Sequence, residues 1–121
     1  MLPWLVGLIM AGTPLPFASL VSAQPLTVSD LQAIATSSAA KYHLTKRQTK
    51  QMLATITCES GWDINAVGGM GEIGLVQIYP PAHKDITEEQ MKDPYFSLDF
   101  IAKNFSVGNQ KIWSCWRLLF S

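Results

Sequence analysis

Residues 45–78, TKRQTKQMLATITCESGWDINAVGGMGEIGLVQI, change character halfway along, and that change decides the fold. The first half reads as a helix. Thr45-Lys46-Arg47-Gln48 has the capping-box pattern, a hydroxyl at the N-cap and a Gln three residues on. Met52, Leu53 and Ile56 follow as an apolar stripe with helical period. Gly61 is placed to end the helix, as the residue just past it that takes a left-handed backbone. The second half cannot continue in this way. Gly61, Gly68, Gly69, Gly71 and Gly74 crowd one short segment, too densely for regular structure. Leu75-Val76-Gln77-Ile78 is then a brief apolar run, broken by Pro80-Pro81. An apolar helix therefore carries Glu59 in its last turn to the mouth of a glycine-rich loop.

The flanks read as more helix. Ser29-Asp30-Leu31-Gln32 is a capping-box pattern that opens a helix to about Tyr42, with Leu31, Ile34 and Ala35 facing inward. Thr87-Glu88-Glu89-Gln90 opens a short helix that Pro94 ends. Ser97 to about Phe105 reads as a last amphipathic helix burying Leu98, Ile101, Ala102 and Phe105, and Trp113-Ser114-Cys115-Trp116 as an aromatic closure. The expected fold is mainly α: a small helical domain with a glycine-rich loop or short strand region lining a cleft.

Composition fixes the setting. With 121 residues there is room for one small domain. No Lys, Arg, Asp or Glu precedes Asp30, so nine basic and nine acidic residues balance in the rest of the chain. That balance argues against a nucleic-acid partner, which calls for a basic stripe. Residues 1–23 read as a secretory signal peptide: an apolar segment from Leu2 to Ala11, and small residues Val21-Ser22-Ala23 before a cleavage point at Gln24. Gly12-Thr13-Pro14-Leu15-Pro16 interrupts the apolar run, and a membrane span wants about 20 apolar residues, so no stable span is expected after cleavage. The mature domain is then 24–121, exported and monomeric. Export gives the two cysteines a meaning. An even count in an oxidising compartment suggests a disulfide between Cys58 and Cys115, and closing that loop stabilises by roughly 4 kcal/mol.

Glu59 carries the candidate chemistry. A carboxylate in the last turn of a helix faces the negative end of the helix dipole, and apolar neighbours strip its water. Both effects favour the protonated form. A Glu that stays protonated near neutral pH suits the task of protonating a leaving oxygen, and a glycosidic oxygen is such a group.

Glu59-Ser60-Gly61, Asn65-Ala66-Val67, Gly71 and Gly74-Leu75-Val76-Gln77-Ile78, in that order and spacing, resemble the signature of the lysozyme-like superfamily, and within it the lytic transglycosylase family. Asp93-Pro94 before an amphipathic helix resembles that family's later Asp-Pro element, so the likeness runs from about Gln48 to Trp116. It implies a lysozyme-like α+β fold and cleavage of the β-1,4 bond between N-acetylmuramic acid and N-acetylglucosamine in peptidoglycan. The product it favours is non-hydrolytic, a 1,6-anhydro sugar. A hydrolytic lysozyme of the same fold and a non-catalytic glycan-binding module are the alternatives. The resemblance implies Glu59 as the catalytic acid, Ser60 as a polar neighbour of the reaction centre, and Gln77 as a substrate contact across the cleft. Gly74 would be a close approach of backbone to sugar, and no cofactor is implied. The family's later Tyr-Asn-Ala-Gly-type segment, whose Tyr supports the Glu, has no counterpart after Lys103. Either the chain is truncated or it is a short variant closed by the Cys58–Cys115 bridge, and the second is the expectation here.

A hydrolase needs a second acid and a transglycosylase does not. Glu72 is expected near the cleft, Asp63 as a turn cap and Asp85 on the surface, so no second acid stands out. Trp62 is a candidate sugar-stacking platform. His43 and His83 lack the company that a metal site requires.

Overall fold

The computed structural model describes residues 24–121, and the signal-peptide reading of 1–23 lies outside them. Five α-helices follow in order: α1 (Val28–Lys41), α2 (Lys46–Ser60), α3 (Glu88–Lys92), α4 (Pro94–Ser106) and α5 (Ser114–Phe120). Two 3-10 turns, Pro80–Ala82 and Gln110–Ile112, fill the joints. Among the described residues, no helix is long and apolar enough to cross a membrane.

The capping chemistry sets most of these boundaries. Thr45 Oγ1 accepts from the Gln48 N–H at 3.1 Å, and Gln48 Oε1 accepts from the Thr45 N–H at 2.9 Å, so the box that opens α2 is complete. Thr87 and Gln90 do the same for α3. At α1 the box sits two residues earlier than expected. Thr27 and Asp30 form it, at 3.1 and 2.8 Å, in place of Ser29 and Gln32. Asp30 also puts a negative charge in the first turn, where the dipole favours it. The helix α4 begins before Ser97. Asp93 caps it through Oδ1 to the Tyr95 N–H at 2.9 Å, and Pro94 takes the first helical position, where its missing N–H costs nothing. Trp113 to Trp116 is more than a closure, because Ser114 starts α5.

The core is continuous. Leu31, Ala35 and Ala39 of α1 and Leu98, Ile101, Ala102 and Phe105 of α4 are buried, and Met52 and Ile56 of α2 join them. Each large side chain so buried stabilises by about 1.5–3 kcal/mol relative to exposure. Leu75, Val76 and Ile78 plug the same core from the loop. There is no strand ladder in this loop, only isolated antiparallel bridges of Ile73 to Val67 and to Ile78. Trp113, buried against Phe100 and Phe105, donates its ring N–H to the Val76 carbonyl at 2.7 Å and so locks the loop to the C-terminal segment. The domain is mainly helical, as expected, with the cleft where α2, the loop and α5 meet.

Candidate active site

The stripe that buries α2 also delivers Glu59. Met52 and Ile56 are fully buried, and Glu59 lies one further turn along the same face, where the core meets the surface. Gly61, at φ 61°, then ends the helix with its N–H on the Thr57 carbonyl. The Glu59 carboxyl is half-buried, and its Oε2 accepts the Cys115 N–H at 3.0 Å. Burial raises its pKa above the usual Glu value, and the negative charge of Glu72 adds to the rise. The Cys115 N–H, the Ser114 side chain and the Arg117 guanidinium pull the other way, but burial is the largest effect and the rise prevails.

Across from Glu59 stand Glu72 and Gln77, bordering a cleft of about 300 Å³. Gln77 sits at φ 55°, a left-handed conformation that a non-glycine residue adopts at a cost. Its own side chain holds it there, donating Nε2–H to the Ala66 carbonyl at 3.2 Å and the Gly74 carbonyl at 3.0 Å. Glu72 Oε1 accepts the Met70 N–H at 2.9 Å. Both side chains lie against Gly68, where an added Cβ would collide with Gln77 Oε1 and Glu72 Oε1. Gly68 therefore has a role in the cleft wall, although in sequence it counts only as one loop glycine among five. The third wall comes from Ile112, Trp113, Ser114 and Arg117, and Tyr79 borders the same cleft. Past Tyr79 and Trp113 the cleft continues as a hollow of about 330 Å³ toward His83 and Phe100.

The structure brings Glu59, Glu72 and Gln77 together and leaves the other expected site residues elsewhere. Ser60 completes the helix end: its hydroxyl donates to the Ile56 carbonyl at 3.3 Å and accepts the Trp62 N–H at 3.1 Å. Trp62 is only 7% exposed, with its ring N–H on Thr57 Oγ1 at 2.8 Å, so it is a core residue and does not reach the cleft as a stacking platform. Gly74 is buried at φ 87°, and a Cβ there would strike the Met91 carbonyl oxygen. The close approach to α3 is by itself enough to demand glycine here. Asp63 caps a turn by accepting the Asn65 N–H at 2.9 Å, and Asp85 is exposed. Neither lines the cleft. Among the described residues, Glu72 is the second carboxylate that does.

Cys58 and Cys115 are joined, with Cα atoms 5.9 Å apart. The pairing was the one clue in sequence to the third wall, since Ser114 flanks Cys115 and Arg117 is two residues on. Tyr79, Met70 and Ile112 carried no such signal. A family model described as the transglycosylase SLT domain matches residues 37–118, more than half of the chain, a span that includes all three cleft walls and both cysteines. No curated protein and no solved structure matches the chain.

Proposed function

The chain belongs to the transglycosylase SLT domain family, and we propose that it cleaves the β-1,4 bond between N-acetylmuramic acid and N-acetylglucosamine in peptidoglycan, with Glu59 as acid and then as base. Family membership supports peptidoglycan as the substrate and a lytic transglycosylase-type activity. One observation carries the assignment of Glu59: it is a half-buried carboxyl on the cleft whose burial favours the protonated form. Protonated, it donates to the glycosidic oxygen as the bond to C1 breaks. The carboxylate left behind takes the proton of the sugar's 6-hydroxyl as that oxygen closes on C1. The product is a 1,6-anhydro end, and no water is consumed. Glu72, negative and across the cleft, is placed to favour the positive charge that develops at C1.

Glu72 also motivates a second reading, a lysozyme in which this carboxylate activates water or attacks C1. The Met70 N–H engages one of its oxygens, which favours a fixed charge over a mobile base. Mass analysis of fragments released from purified peptidoglycan separates the two. Anhydro ends support the transglycosylase, and free reducing ends support the hydrolase. The work is done outside the cytoplasm, with residues 1–23 as signal peptide and 24–121 as the mature domain, a compartment in which the Cys58–Cys115 bridge persists.

A further inference from the structure

We propose that Cys115 is the positioning residue for Glu59: its backbone N–H fixes the carboxyl, and the disulfide to Cys58 fixes that N–H. The proposal rests on Glu59 being the proton donor. It starts from a gap in local capping. Helix α5 follows Trp113, whose side chain makes no capping bond. Cys115 is the second residue of that helix, so its N–H has no acceptor within α5. Glu59, 56 residues upstream, supplies the acceptor. Its neighbour Cys58 is bonded to Cys115 itself. Acid and donor are therefore closed into one small ring, once by the disulfide and once by the hydrogen bond.

Two consequences follow for the proton. With Oε2 engaged, Oε1 is left to carry the proton toward substrate. An N–H also favours the charged form, so it stabilises the carboxylate as the proton departs. The other groups that act on this carboxyl are Ser114 and Arg117 from α5 and Glu72 from the loop. Arg117 also bonds the Lys111 carbonyl, and its charge is the last of the influences on Glu59.

The test exchanges the amide between Ser114 and Cys115 for an ester, made by ligation in the otherwise complete protein with its bridge intact. The exchange removes one N–H that no helical bond uses, and circular dichroism checks the fold. On purified peptidoglycan, kcat should fall about tenfold or more with KM within about twofold, as expected for loss of a hydrogen bond to a charged group. The alkaline limb of the pH profile should move to higher pH, because a carboxyl without its donor titrates higher. The double variant Cys58→Ser with Cys115→Ser keeps the N–H but frees it, and should move the limb in the same direction by less. It serves as the second arm if the ester chain does not fold. An unchanged kcat and an unchanged limb in the folded variant overturn the proposal. Glu59→Gln is measured alongside. If that variant stays active, the reading of Glu59 fails; if it is inactive and the ester variant is normal, the positioning role alone fails.

Discussion

At the scale of single residues, what matters is which influence on Glu59 prevails. Burial and Glu72 raise its pKa, while the Cys115 N–H, Ser114 and Arg117 lower it. The balance is a rise, so the protonated acid persists to higher pH than an ordinary Glu. Activity that needs this proton is present below the raised pKa and is lost as pH climbs through it. Glu72→Gln removes one of the two influences that raise it, so the alkaline limb of the activity profile should move to lower pH. A profile identical to that of the parent would remove Glu72 from the account. Glu59→Gln should reduce cleavage by about a hundredfold or more, the usual scale for a lost general acid. Gln keeps an acceptor for the Cys115 N–H and no longer buries a carboxylate. Its melting temperature at neutral pH should therefore be at or above the parent's, a thermal scan being the check. The position of Glu59 at the end of its helix was legible in sequence because the helix and the glycine after it are local features. The burial of Trp62 was not legible, for the opposite reason. Burial of an aromatic ring is settled by the rest of the chain, and here Thr57 and the core claim it.

The elements show the same division between local and distant causes. The capping boxes at Thr45 and Thr87 were legible because both partners lie within four residues. At α1 the box begins at Thr27 and not at the expected Ser29, because Asp30 reaches back to the Thr27 N–H. Helix α5 was not legible at all. It has seven residues and no local cap, and one N–H of its first turn, that of Cys115, goes to Glu59 from another helix. The glycines separate in a testable way. Gly61 has a left-handed backbone but open space around it, so Gly61→Ala should cost about 1–2 kcal/mol, the ordinary penalty for that conformation. Gly74 has the same kind of backbone and also the Met91 carbonyl in the path of a Cβ. Gly74→Ala should therefore cost more than Gly61→Ala, about 3 kcal/mol or more, since strain adds to the conformational penalty. Urea unfolding of the two variants measures the difference. Equal losses would mean that α3 yields freely at that point.

For the whole molecule, the cleft exists because three distant segments close on one another. The first two walls, around Glu59 and from Glu72 to Tyr79, belong to one continuous stretch and were foreseeable as neighbours. The third, from Ile112 to Arg117, is brought there by the Cys58–Cys115 bridge and by Trp113 bonded to the Val76 carbonyl. A sequence read from end to end marks the cysteines but not the side chains that travel with them. Removing the bridge with Cys58→Ser and Cys115→Ser should lower stability by about 2–5 kcal/mol, a large share of what a domain this small possesses. A loss under about half a kcal/mol in urea unfolding would show that packing alone closes the wall. All of this bears on one claim, that Glu59 breaks glycan strands by giving up a proton and taking it back. The most direct measurement incubates the purified protein and its Glu59→Gln variant with peptidoglycan and weighs the soluble fragments by mass spectrometry. The account predicts muropeptides with 1,6-anhydro ends from the parent and essentially none from the variant. Fragments released equally by both proteins, or none released by either, would contradict it.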